Sequence, residues 1–330
     1  MNTLTMKWLL RHEFWEHKGS MFWAPLVTAV VLAVLIGGTI LYGLAGHHIP
    51  THVTINGQTM DHGGYSINVA AATKLRMAQM ASSAYLATSF PLFLLLSGAV
   101  FLYCLGALHD ERRDRSILFW KSLPVSDQMT VLSKAATALL VAPLITIVLA
   151  TLSSLIVLFL TCLGLSLNGV NLFGAVLASP DLYLSPLRLV ALLPVYVVWA
   201  LPTVGWLLLV SSWARAKPMS WAVGAPVVGL IVMKWVSVAM ENFAGTPLNL
   251  MHHAQDVVAR ILTGVVPGIW FAFTNGVPPD LRPTEHGIDV DSLVTHSYAT
   301  LAGADAWIGV VLGAAMLYGA MRLRRYRDEG

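Results

Sequence analysis

Stretches of about 18 or more mostly apolar residues recur along this 330-residue chain. No other feature limits its folding as strongly. Lipid offers no partner to backbone N–H and C=O groups, so such stretches span it as helices that bond internally. The rest of the composition agrees. The chain is 56% hydrophobic and 11% charged, where a soluble domain has about 45–50% apolar and about 25% charged residues. Six spans are read at 22–45, 84–107, 131–160, 187–210, 219–240 and 301–321. The expected fold is an all-α polytopic membrane protein, a single transmembrane domain over 1–330. Cys104 and Cys162 both fall in apolar segments and read as small buried hydrophobes, not as a disulfide framework.

The segments between spans carry turn signals and charge. Residues 4–18 are amphipathic, with Met6, Leu10 and Phe14 at four-residue spacing, Lys7, Arg11 and Lys18 for charge, and Trp8 and Trp15. They predict a helix lying at the membrane surface before span one. No small-residue cleavage pattern follows, so no cleavable leader is expected. In the segment 46–82, Asn56-Gly57 stands between β-prone pieces at 51–55 and 58–60, which allows a small hairpin. From Ile67 the pattern turns helical toward span two. Pro91 and Pro143 are expected to kink or interrupt spans two and three. The segment 163–186 reads as a loop with a short surface helix. The segment 241–300 is the longest polar region, and its apolar part, 257–273, is cut by Gly264, Pro267 and Gly268. It reads as a partly inserted or surface-lying helix.

An even number of spans puts both termini on one side. Fourteen of the 20 basic residues fall at that side, among them Lys7, Arg11, Arg112, Arg113, Arg215, Lys217, Arg322 and Arg325. The excess of Lys and Arg predicts that this side is cytosolic. The segments 46–82, 163–186 and 241–300 are then external. Eight of the eleven histidines lie in external segments. Their spacings match no zinc pattern, and no metal ligand is assigned. Lys234 falls inside span five, about two thirds of the way across, where snorkelling or pairing with Glu241 is the plain reading. The chain contains no His-Glu-x-x-His, no Gly-x-Ser-x-Gly and no paired acids inside a span, so no catalytic residue is assigned.

The most charged stretch is His109-Asp110-Glu111-Arg112-Arg113-Asp114-Arg115-Ser116-Ile117-Leu118-Phe119-Trp120-Lys121-Ser122-Leu123-Pro124-Val125-Ser126-Asp127. Charge alone would suit a solvated loop, with Glu111 set to pair with Arg115 and Asp110 with Arg113 at helical spacing. The enclosed Leu118-Phe119-Trp120 patch adds an apolar surface with a charged rim, which suits docking on a soluble partner. Pro124 ends the helix or begins a turn. The plain reading keeps the charges solvated and anchors the aromatics at the interface.

This stretch, with Thr130-Val131-Leu132-Ser133-Lys134 after it, resembles the pattern of ABC-2-type transporter permeases. Where that family carries a glycine after the charged cluster, this chain has Asp114-Arg115-Ser116. The resemblance implies that Glu111, Arg112, Arg113, Asp114, Arg115, Leu118, Phe119, Trp120, Lys121 and Pro124 form the region that contacts an ATPase subunit. It likewise implies an elbow helix around Arg11, Glu13, Phe14 and Trp15. The chain has no Gly-x-x-x-x-Gly-Lys-Ser/Thr for a P-loop. ATP and Mg would therefore be held by a partner ATPase chain, in two copies, beside a second permease copy or a homologous permease, with no cofactor in this chain. The resemblance further implies a bacterial inner-membrane exporter of hydrophobic or amphipathic cargo (peptide, lipid or small natural product), surrounded by membrane lipid. No nucleic-acid partner is expected. The other function open to this architecture is a non-transporting sensor or scaffold whose external region binds a ligand or metal.

Overall fold

A computed structural model describes residues 3–45, 52–55, 58–61, 71–114, 125–244, 250–274, 276 and 290–326. The chain is an all-α, six-span membrane protein. Helix α1, Thr3–Glu16, precedes the first span, α2, Gly19–Gly43. Strands β1, His52–Ile55, and β2, Gln58–Asp61, pair antiparallel with Ile55 opposite Gln58. The second span is α3, Thr73–Arg113, and the third is α4, Asp127–Leu167. The short helix α5, Phe173–Leu177, leads to the fourth span, α6, Pro180–Trp213. The fifth span is α7, Pro218–Asn242. Helices α8, Leu250–Thr263, and α9, Val290–Ala299, precede the sixth span, α10, Ala304–Tyr326.

Several helices outrun the spans read from hydropathy. Helix α3 begins eleven residues before the expected 84, as the pattern from Ile67 suggested, and α6 begins seven before 187. These two extensions cover each other. The Ser82 and Ser179 hydroxyls are 2.7 Å apart, and Tyr85 Oη donates to the Leu182 carbonyl at 3.1 Å. A satellite core of Ala78, Leu158, Cys162, Val176 and Leu182 fills the space between. The segment 163–186 is therefore mostly helical, a correction to its reading as a loop. Its turn falls where α4 ends in a Schellman closure. Gly169 takes φ +86°, Val170 N–H donates to the Leu165 carbonyl, and Gly169 N–H donates to the Ser166 carbonyl. Only glycine takes that backbone without strain. Helix α6 then starts at Pro180, a first-turn proline whose missing N–H leaves no bond unmade.

Three prolines expected or able to break spans are absorbed by a change of pitch. A π turn at Gly19–Trp23 precedes Pro25, a 3₁₀ turn at Tyr85–Ser89 precedes Pro91, and a π turn at Thr137–Val141 precedes Pro143. A proline in a helix removes one N–H and crowds the carbonyl four residues back. Widening or tightening the preceding turn moves that carbonyl aside and re-pairs the groups. Pro143 therefore does not interrupt α4.

The core forms where α3, α4, α6 and α10 meet, around Val100, Cys104, Val131, Ala138, Trp199, Val204 and Leu207. Helices α6 and α10 share the most extensive contact. At its centre a Cβ on Gly205 would lie 2.6 Å from the Gly313 carbonyl oxygen, and one on Gly313 would lie 2.9 Å from the Leu201 carbonyl. Two backbones touch here, the usual solution where apolar contact alone gives helices no preference over lipid. Helix α7 stands apart. Its most apolar window contains no buried residue, and it is tied to α6 by Trp206 Nε1 donating to the Ala222 carbonyl at 3.0 Å and by the Trp213–Trp221 ring contact. Lys234 lies exposed on it and makes no ion pair with Glu241 among the described residues.

Gly313→Ala forces a methyl into the α6 backbone. It is expected to destabilise the bundle by about 1–3 kcal/mol, the usual range for overpacking. Gly224→Ala, in open space on α7, is expected to be silent. Thermal unfolding of the two variants in detergent checks the difference.

Candidate functional site

The end of the bundle that carries α1 gathers five charged side chains from four helices, and four of the five are nearly solvent-free. Lys134 of α4 is 1% exposed, Glu13 of α1 3%, Arg324 of α10 6% and Glu111 at the end of α3 7%. Lys134 Nζ donates to Glu13 Oε1 at 2.7 Å and lies 2.8 Å from Glu111 Oε1. Arg324 Nη1 donates to Glu111 Oε2 at 2.6 Å, and its Nε donates to Asp127 Oδ1 at 3.2 Å. Tyr103 Oη donates to Glu13 Oε2 at 2.7 Å. Each buried carboxylate oxygen of Glu13 and Glu111 thus has a donor.

Local sequence explains how the groups converge. Helix α4 starts at Ser126, which has extended backbone angles and a side chain that accepts from the Met129 N–H, an N-cap. Asp127 and Lys134 are seven residues apart, two turns, so they share the face of α4 that also buries Val131. On α1 the buried face is Leu9 and Glu13, with Phe14 half-buried and Arg11 and Trp15 exposed. Arg11 lies over the Trp8 ring at 5.7 Å and Lys18 over the Trp15 ring at 5.4 Å, cation–π contacts on the outer face.

A second set of bonds fixes the end of α3 against α6. The helix loosens into a turn at Ala107–Leu108. Its freed Leu108 and His109 N–H groups donate to Ser211 Oγ, both at 3.0 Å. Arg112 Nη2 donates to the Ser211 and Ala214 carbonyls. Those carbonyls belong to the end of α6, where a cation meets the negative end of the helix dipole. Arg113 and Asp114 are exposed.

These positions divide the residues singled out in the charged stretch. Glu111 and Arg112 face inward and join helices; Arg113 and Asp114 face out. Arg115, Leu118, Phe119, Trp120, Lys121 and Pro124 lie outside the described residues. Of the four elbow residues, Glu13 enters the cluster and Arg11, Phe14 and Trp15 stay around it. Tyr103, Asp127, Lys134 and Arg324 were not singled out as members of one cluster. One signal was available: Lys134 follows Val131-Leu132-Ser133 and precedes a long uncharged run, and a cation carried into an apolar span calls for a buried anion. Glu13, Glu16 and His17 bring ligand-type atoms within 4.8 Å of one another, but Glu13 is already committed to Lys134 and Tyr103.

Burying the cluster costs desolvation, and the mutual pairing offsets it only while every partner is present. Glu111→Ala leaves Lys134 and Arg324 short of an anion and is expected to cost about 3–5 kcal/mol. Arg113→Ala, on the exposed face, is expected to stay within about 0.5 kcal/mol. Chemical unfolding monitored by circular dichroism separates the two. No protein-family model, curated protein or solved structure matches the chain.

Proposed function

We propose that the chain is the membrane subunit of an ATP-driven exporter of the ABC-2 type, working with a separate ATPase chain. The multi-pass fold is the frame. The observation that carries the reading is the position of Glu111: it lies four residues before the stretch 115–124 and is bonded to both Lys134 of α4 and Arg324 of α10. A push on that stretch is delivered through Glu111 to the third and sixth spans together. Arg112 takes the same displacement to the end of α6 through two carbonyls. Buried ion pairs suit this transfer because their geometry changes only at high cost.

In this reading the charged end is cytosolic, consistent with its excess of Lys and Arg, and the membrane is the bacterial inner membrane. Two ATPase copies, carrying ATP and Mg, work on two copies of this chain. The Leu118-Phe119-Trp120 patch docks in a cleft of the ATPase, with Arg113, Asp114, Arg115 and Lys121 on the rim. Nucleotide binding drives the cycle only if the ATPase contacts the two states of the membrane chain differently. The cargo is hydrophobic or amphipathic.

Phe119→Ala combined with Trp120→Ala is expected to abolish co-purification with the partner ATPase chain, and to remove stimulation of its ATP hydrolysis. The melting temperature of the membrane chain is expected to stay unchanged. Unaltered co-purification and unaltered stimulation would overturn the docking role.

A further inference from the structure

At the other end of the bundle, α6, α8 and α10 enclose a cavity of about 440 Å³, within the range of small-molecule sites. Its walls include Trp199, Phe273, Ile261, Ile308 and Leu312. Its floor is Arg260 of α8, 8% exposed. Segment 257–273 was expected to be a partly inserted or surface-lying helix; α8, Leu250–Thr263, is seated in the bundle through this arginine. Thr203 Oγ1 donates to the Arg260 carbonyl at 2.7 Å, and a Cβ on Gly264 would lie 2.5 Å from the Trp199 carbonyl. Helix α8 is thus seated against α6, and glycine ends it where the backbones meet.

The guanidinium is held from three sides. Its Nη1 donates to the Asp305 carbonyl and its Nη2 to the Ala306 carbonyl at 3.1 Å. Its centre lies 4.2 Å from the Trp199 ring. It crosses α10 at Gly309, where any Cβ would collide with it. Trp199 is fixed in turn by Nε1 donating to Thr300 Oγ1 at 3.1 Å and by stacking on Phe273 at 6.0 Å and 7°. One donor is left over: Arg260 Nε is buried and has no hydrogen-bond partner among the described residues. Among the described residues no carboxylate comes within ion-pair distance of this cation. A clamp between α8 and α10 would need the two Nη groups and the glycine. It would not need a cavity lined by the same arginine.

Two carboxylates also line the cavity. Asp256 precedes Arg260 by one turn on the same face of α8, and Asp305 opens α10; both are exposed. The cavity therefore presents a buried cation at its floor, two anions toward solvent and apolar or aromatic walls. A plain anion meets Arg260 but is repelled by the aspartates, and a plain cation meets the reverse. We propose that this cavity binds a zwitterionic amphiphile, whose phosphate or carboxylate pairs with the positive charge of Arg260, whose ammonium faces Asp256 and Asp305, and whose apolar body lies against Trp199, Phe273 and Ile308. The proposal does not depend on the export reading, because binding needs no ATPase. A membrane lipid or an amphiphile taken from solution would satisfy the same chemistry.

The test uses the full chain purified in uncharged detergent, with lysophosphatidylethanolamine, lysophosphatidic acid and dodecylammonium as probes, read by calorimetry. The zwitterionic probe is expected to bind at one site per chain. Arg260→Gln is expected to weaken it about tenfold or more, the loss of a charged hydrogen bond. Asp256→Asn with Asp305→Asn is expected to move the preference toward lysophosphatidic acid. Ile308→Trp fills the cavity without touching the Arg260 bonds, and is expected to abolish binding at an unchanged melting temperature. That variant keeps the test valid if Arg260→Gln fails to fold. Native mass spectrometry of chain extracted from membranes identifies the source: a retained phosphatidylethanolamine marks a lipid site, and an empty chain that takes up added probe marks a site for a soluble amphiphile. Equal binding of the zwitterionic probe by wild type and Ile308→Trp, or tighter binding of dodecylammonium alone, would overturn the proposal.

Discussion

Lys134 is the residue on which the charged end of this molecule depends. It carries a positive charge into an apolar helix, and nothing in lipid could hold that charge. Glu13 and Glu111 supply the counter-charge, but only if α1 lies across the mouth of the bundle and α3 continues past its apolar part. Arg324 is then required in turn, because Glu111 has a second oxygen to satisfy. One buried ammonium thus fixes the seating of the N-terminal helix, the length of α3 and the rotation of α10. Four elements that hydrophobic packing alone would leave free to slide acquire a single arrangement.

The six spans were legible because lipid imposes a simple rule. A backbone there must bond to itself, and its side chains must be apolar over a fixed length. Helix ends were less legible. Hydropathy falls off where α3 and α6 leave the apolar layer, yet both helices continue, since Ser82, Tyr85, Ser179 and Leu182 satisfy each other across the gap. That pairing joins residues 97 positions apart, beyond any local pattern. Pitch changes at Pro25, Pro91 and Pro143 were hidden for a similar reason. Proline announces a missing N–H but does not say which carbonyl will be re-paired.

The charge cluster was half legible. The sequence placed Glu111, Arg112, Arg113 and Asp114 at one end of the bundle and marked them as important. It could not say which faced inward, because neighbouring residues on a helix differ by about 100° in direction and all four are charged. Packing made that choice: Glu111 found Lys134, and Arg112 found the end of α6. Arg260 was overlooked because its helix alternates polar and apolar residues like any surface helix. Its burial follows from Gly264 and Gly309, two positions where a side chain is missing.

The contact between α6 and α10 has a consequence for synthesis. Trp199 and Thr300 stand 101 residues apart, and at about 5–20 residues per second their union waits about 5–20 s after α6 leaves the ribosome. Through that interval Gly205 lacks Gly313 and the Trp199 indole N–H lacks Thr300, so this flank faces lipid or the insertion machinery. Helices α7 and α8 are made and threaded in the meantime. The nascent chain therefore passes through a five-span state whose fourth helix is unsealed, and arrival of α10 is the event that converts a string of inserted helices into a closed bundle. A ribosome stalled before Gly313 would leave a chain that has reached the membrane but offers quality-control proteases the open flank of α6.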